Sequence, residues 1–525
     1  MQGLTLMVQG TMSSVGKSLM AAALCRIFRQ DGLSVAPFKA QNMALNSFAT
    51  LDGREVGRAQ AMQAEAAGIA VTVEMNPVLI KPEADTSAQI VVLGKTWTTL
   101  SARDYIEQRH ELWRVVTEAL DTLRRDYDIV VIEGAGSPVE LNLKQGDVVN
   151  MAIAKYAGSP VLLLGDIDRG GIFAQLLGTL ALLEPEERAL VAGLIVNKFR
   201  GDMSLFADGV EILSERSNLP VLGVVPFIPD LRIADEDSVA LDDRAAEARG
   251  RSTAELDMLD IAVIRLPHIS NFDDFDPLMA EDGVRVRFVG RAPDLGHPDL
   301  IILPGTKTTV ADLQFLREQG LDERIVQQAR TGVPLLGICG GLQMLGLSIR
   351  DPLHAEADKD EVTGLGLLPV ITHFEEAKET VQAHGNILPD RGLFANARHL
   401  PAMGYEIHMG RSIQPIQQEH DTTCAEPDST ALVSVKQRGG QDVDKLDGMV
   451  SEDGWVAGTY FHGLFDNDAL RHRVLANLAA RKGVTRAATG YRFDRAAIYD
   501  RLAGIVRAHL DVAAIYRLLD RGVER

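Results

Sequence analysis

At 525 residues the chain is too long for one ordinary core, and a formal net charge of −20 argues against nucleic acid as a general partner, because phosphate binding needs a basic face. Hydrophobic residues make up 46% and charged residues 24%, a balance typical of soluble domains, and the longest apolar runs are strand-sized, short of the roughly 20 residues that span a bilayer. Cys25, Cys339 and Cys424 lie too far apart for a zinc site of paired spacing, their odd number disfavours a disulfide framework, and the opening MQGLTLMVQG lacks signal-peptide character, so a reduced, cytoplasmic setting is expected.

In chain order, LTLMVQG predicts a strand, KSLMAAALCRIFRQDG a helix and LSVAPFKAQ a second strand. The long amphipathic SARDYIEQRHELWRVVTEALDTLRRDY then leads into DIVVIEGAG, and SPVLLLGDID, IFAQLLGTLALL, ALVAGLIVNKF and LPVLGVVPFIP continue the alternation. Strands apolar on both faces, alternating with helices, predict an α/β chain with mostly parallel sheets covered on both sides. Two doubly wound domains are expected, at 1–231 and 257–480, joined by a charged linker at 232–256 and followed by a helical extension at 481–525.

GTMSSVGKS, Gly10 to Ser18, falls between a strand and a helix, where a phosphate-cradling loop belongs. Backbone N–H groups through Thr11, Val15 and Gly16 face phosphate oxygens, Lys17 adds positive charge and the Ser18 hydroxyl reaches Mg²⁺. The loop has five residues before its Gly-Lys pair instead of four, and a plain glycine turn is the alternative. Glu133 closes an apolar strand and is the candidate magnesium-side acid, with Asp52 a second; a solvent-facing strand-end acid is the alternative for Glu133. Asn197 ends another strand in NKF, and Arg200 occupies the position where guanine reading would need an acid, so adenine is expected, with a strand-end cap as the other reading of Asn197. PFKAQNMALNS packs Lys39, Gln41, Asn42 and Asn46 into a short polar loop of a kind that suits carboxylates, amides and phosphates, and Lys39, Gln41 and Asn42 are the candidate substrate-binding residues, against a simple solvated loop.

GICGGLQMLG places Cys339 at a sharp turn from strand to helix, where a thiolate is exposed and favoured by the helix N-terminus. Gly340 can supply an oxyanion N–H, and ILPGTKTT a second near Gly305 and Thr306. A cysteine nucleophile needs a base, and His462 in GTYFHGLF is the candidate; a buried structural cysteine and a structural histidine are the alternatives.

Together, GICGGLQMLG, LPGTKTT and YFHGLF resemble the class I glutamine amidotransferase domain of the cobyrinic and cobyric acid synthases, and GTMSSVGKS with VIEGAGS resembles the ATP-binding domain of the dethiobiotin synthetase group. With PFKAQNMALNS, MNPVLIKP and PHISNFDDFDPL in this order, the chain is similar to the cobyric acid synthase family of the vitamin B12 pathway. The resemblance implies a P-loop ATP-binding domain, a class I glutamine amidotransferase-like domain, use of ATP and Mg²⁺, and amidation of the b, d, e and g carboxylates of adenosylcobyrinic acid a,c-diamide. It makes Cys339 the thiol that attacks glutamine and His462 its base. Where the usual His-x-Glu has its orienting glutamate this chain has Leu464, and Asp466 is a candidate replacement. The partners implied are a corrinoid, L-glutamine and ATP, with no nucleic acid, no membrane and the oligomeric state left open. Competing readings are the sister synthase that amidates the a and c carboxylates, and a partitioning-type regulatory ATPase; the signature lysine of the latter is replaced by Met12.

Overall fold

The computed structural model describes residues 2–84, 87–229, 231, 258–415, 430–484 and 491–521. The expected linker at 232–256 and Cys424 lie outside them. The described chain forms two units that are not contiguous in sequence: residues 1–44, 55–236 and 494–525 make one, and 45–54 with 237–493 make the other.

The first unit is built on six strands, β1 (Leu4–Gly10), β2 (Val35–Phe38), β3 (Ile129–Glu133), β4 (Val161–Asp166), β5 (Val191–Phe199) and β6 (Val221–Pro226). Their order is β6-β5-β4-β1-β3-β2, every neighbouring pair parallel, so β1 is central. Leu6, Met7 and Val8 are fully buried, as an apolar-on-both-faces strand requires. Helix α1 (Lys17–Gln30) covers the sheet with Leu24, Ile27 and Phe28, each contributing roughly 1.5–3 kcal/mol by leaving water. Two tail helices, Arg495–His509 and Val512–Arg521, pack into this same core through Tyr499, Leu502, Val506 and Ile515. A small sheet of Gln41–Met43, Val78–Ala84, Ser87–Val92 and Lys95–Ser101 completes the unit.

The second unit repeats the theme with β7 (Leu259–Ile264), β8 (Val284–Val289), β9 (Leu300–Leu303), β10 (Leu335–Ile338), β11 (Met449–Val450) and β12 (Val456–Thr459). The order is β8-β7-β9-β10-β12-β11, parallel except for the β11–β12 pair. Beside it lies a largely antiparallel sheet with two long strands, Ile371–Ile387 and Pro401–Ile413. Among the described residues no helix is long and apolar enough to cross a membrane.

Candidate active sites

Parallel neighbours β1 and β3 bring the carboxyl end of each strand to one edge, with Val8 opposite Glu133. Gly16 takes φ +100° and precedes the first turn of α1, and a Cβ on it would lie 2.4 Å from the Asn197 amide nitrogen. Lys17 curls back, its ammonium donating to the carbonyls of Met12 at 2.9 Å and Gly136 at 3.0 Å. Thr11 is tied down by its N–H to Leu164 O and its hydroxyl to Gln175.

Glu133 is fully buried and gathers three donors: the Ser18 hydroxyl at 2.8 Å, the Lys39 ammonium at 3.0 Å and the Gln63 amide at 2.5 Å. A carboxylate taken so far from water needs such partners. The structure thus joins Ser18, Lys39 and Glu133, which the sequence offered separately, and adds Gln63, whose position inside α2 (Arg58–Ala67) gave no motif to read. Gln41 accepts from the Tyr105 hydroxyl, and Asn42 donates to Gln60 at 3.0 Å.

Two candidates sit otherwise than the sequence suggested. Asn197 donates to Val15 O at 2.7 Å, and its neighbour Lys198 donates to Ser14 O at 2.6 Å, so the end of β5 pins the phosphate loop and the Asn197 amide is turned to protein backbone. Asp52 belongs to the second unit, where Thr50 and Arg54 donate to it at 2.5 and 2.6 Å, while Ser18 and Glu133 belong to the first.

In the second unit, Cys339 stands between β10 and the short helix α3 (Gly340–Leu345) with φ +52°, a strained conformation for a residue with a side chain. The neighbouring glycines make the turn: a Cβ on Gly341 would fall 2.0 Å from Leu303 O, and one on Gly337 2.7 Å from Gly341. The Gly305 turn closes over the same place. A Cβ on Gly305 would sit 2.7 Å from His462 Cε1, and one on Gly340 3.3 Å from Thr306 N. Asp312 holds this turn by accepting from the Thr306 hydroxyl and pairing with His268 Nδ1 at 2.8 Å.

His462 is buried, with Cys339 as an electrostatic neighbour on one side. On the other, its Nδ1 lies 2.7 Å from Asp274 Oδ2, and the second oxygen of Asp274 accepts the Gly463 N–H at 2.7 Å. The orienting carboxylate is therefore Asp274, from a distant part of the chain, and not Asp466, which is exposed. Its signal was the acidic pair inside PHISNFDDFDPL, flanked by Phe272 and Phe275, both buried. Burial works against charge on His462, but the charge and hydrogen bond of Asp274, with a further contribution from Cys339, carry its pKa up to about 10. A carboxylate on the far nitrogen fixes the orientation of the ring and leaves its other nitrogen to exchange protons at the reacting centre. Cys339, His462 and Asp274 can together perform nucleophilic attack and proton transfer on an amide.

A cavity of about 570 Å³ lies alongside, lined by Leu342 of α3 and by Glu406, His408, Arg411, Arg438 and Tyr460. His408 stacks on Tyr460 with ring centres 3.8 Å apart, and the Cys339 thiol approaches Ile407 O at 3.4 Å.

Fold and sites define a glutamine amidotransferase joined to a P-loop nucleotide-binding domain. Residues 260–470 match the CobB/CobQ-like glutamine amidotransferase domain, and residues 6–240 the CobQ/CobB/MinD/ParA nucleotide binding domain. Over 537 residues the chain is 52% identical to the cobyric acid synthase of Sorangium cellulosum, covering 100% of each chain. It is 51% identical to that of Dehalococcoides mccartyi, covering 99% of this chain and 98% of that one, and 50% identical to that of Pelotomaculum thermopropionicum, covering 98% and 96%. The chain belongs to the cobyric acid synthase family, which are glutamine-hydrolysing amide ligases.

Proposed function

We propose that this chain converts adenosylcobyrinic acid a,c-diamide to adenosylcobyric acid, amidating the b, d, e and g carboxylates with nitrogen from glutamine and activation by ATP. The observation that carries the amidotransferase half is a strained, glycine-flanked Cys339 next to a buried His462 whose Nδ1 is held by Asp274 at 2.7 Å.

In the glutaminase, the Cys339 thiolate attacks the glutamine amide carbon, and N–H groups of Gly340 and of the Gly305–Thr306 turn hold the oxyanion. His462 gives its proton to the departing nitrogen, leaving a glutamyl thioester and ammonia. The neutral imidazole then takes a proton from water, which cleaves the thioester to glutamate and frees Cys339. Among the residues that line the cavity, the Glu406 carboxylate and the Arg411 and Arg438 guanidinium groups suit the α-ammonium and α-carboxylate of a free amino acid.

In the synthetase, a corrin carboxylate cannot lose oxide to ammonia, so its oxygen attacks the ATP γ-phosphorus, ADP leaves, and the acyl phosphate yields amide and phosphate when ammonia attacks. Loop N–H groups and Lys17 cradle the phosphates, and Lys39, Gln41 and Asn42 bind the corrin carboxylate. Among the described residues no three His, Cys, Asp or Glu side chains gather as a metal cage. The Ser18 hydroxyl and Glu133 carboxylate are nevertheless the hard oxygen donors that Mg²⁺ takes alongside phosphate. When bound there, the ion would offset the negative charge of the transferring phosphoryl group.

The test is glutamate release and corrinoid mass spectrometry with ATP, Mg²⁺ and glutamine, for wild type and Cys339→Ala. Wild type should add four amide nitrogens, and the variant should do so only with added ammonia. ATP hydrolysis with an unchanged corrinoid would overturn the reading, and amidation of cobyrinic acid itself would move the chain to the sister reaction.

A further inference from the structure

The stretch after Lys39, Gln41 and Asn42 changes unit: residues up to Ala44 belong with the P-loop domain, and Leu45–Arg54 belongs with the amidotransferase. Asn46 and Ser47 are buried there and exchange hydrogen bonds with Asn271. The Asn271 N–H donates to Asn46 Oδ1 at 2.6 Å, and the Ser47 N–H donates to Asn271 Oδ1 at 2.8 Å. Asn271 has φ +53° and is the left-handed residue that starts the turn Phe272–Phe275, which carries Asp274. Its conformation is held from outside its own turn.

The same segment reaches the other side of the base. The Phe48 ring lies 4.7 Å from the Tyr405 ring, and Tyr405 stacks on His462 with centres 5.3 Å apart and planes 22° from parallel. Tyr405 and His462 also exchange backbone hydrogen bonds, at 2.8 and 3.2 Å. Gln382 anchors the segment by donating to Ala49 O at 2.9 Å. A short piece of chain thus supports both the carboxylate that orients His462 and the ring that covers it.

We infer that Asn46, Ser47 and Phe48 are positioning residues of the glutaminase, through which the chain bearing Lys39, Gln41 and Asn42 governs the alignment of Asp274 and His462. The inference rests on the amidotransferase reading above. Asn42 and Asn46 are four positions apart, a span of at most about 14 Å of extended chain, so a displacement of the loop on ligand binding has little slack to absorb it. Glutamine hydrolysis would then answer to occupancy of the synthetase.

The experiment compares wild type, Asn46→Ala, Asn46→Asp, Phe48→Ala and Cys339→Ala as full-length proteins. It measures glutaminase kcat, KM and pH profile with and without ATP plus cobyrinic acid a,c-diamide, the ammonia-dependent amidation rate, and Tm. Wild-type glutaminase should rise several-fold with both ligands. Asn46→Ala and Phe48→Ala should lose at least tenfold in glutaminase kcat with KM little changed, lose the ligand response, shift the pH profile and keep ammonia-dependent amidation. Asn46→Asp, which still offers an oxygen to the Asn271 N–H, should recover most of the rate. Wild-type behaviour of both alanine variants, or loss of both activities together with a collapsed Tm that Asn46→Asp does not restore, overturns the inference. A ligand response absent from wild type overturns it as well. Glutaminase surviving in Cys339→Ala would instead sink the underlying site reading.

Discussion

The phosphate loop and the nucleophile turn are built on one plan, a parallel strand running through glycines into a helix, yet they place backbone strain differently. At the end of β1 the left-handed residues are Ser14, at φ +58°, and Gly16, at φ +100°, and Lys17 follows inside the helix. At the end of β10 the left-handed residue is Cys339 itself, while glycines at 337 and 341 only let strand and helix close on one another. A phosphate cradle works through backbone N–H groups, so its left-handed positions need not be the residue whose side chain acts. A nucleophile must lift its own side chain clear of the sheet, so the strain falls on the reactive residue. The supports differ accordingly: the loop is pinned by Asn197 and Lys198 of its own unit's sheet, and the thiol is served by a base and carboxylate from distant turns.

The largest effects should separate the two turns. Cys339→Ala should reduce glutamine-dependent amidation by roughly 10³-fold or more while ammonia still supports it, whereas Lys17→Ala should depress both nitrogen sources by about 10²–10³-fold. Amidation assays with each donor read this directly. Next, Asp274→Asn removes the charge that fixes the His462 tautomer, and glutaminase kcat should fall by roughly 10²-fold or more with the ammonia-dependent rate intact. Smaller still, Asn197→Ala loosens the loop without touching the nucleophile, and the KM for ATP should rise by about tenfold, equivalent to about 1.4 kcal/mol, with glutaminase unchanged.

A separate effect is on stability. His462 has its folded pKa raised from 6.5 to about 10, so its contribution is complete below about pH 6.5 and is lost as pH rises through about 10, at up to about 1.4 kcal/mol per pH unit. Melting curves of Cys339→Ala and of Cys339→Ala with Asp274→Asn should therefore be furthest apart near pH 6.5 and converge toward pH 10. A constant gap across that range would show that Asp274 does not hold the proton on His462.

Much of this was legible in the chain. Alternation of apolar strands with amphipathic helices determined the α/β class, because that pattern can be buried only in a sheet covered on both faces. The glycine spacings around Lys17 and Cys339 determined the two turns, since local backbone conformation is set by local residues. The pairing of Glu133 with Ser18, Lys39 and Gln63, the capture of Asn197 by the phosphate loop, and the choice of Asp274 over Asp466 were decided only by tertiary structure. So was the passage of Leu45–Arg54 into the second unit. Each of these depends on which distant segment fills the hydrogen-bonding need of a buried polar group, and sequence spacing carries no record of that neighbour.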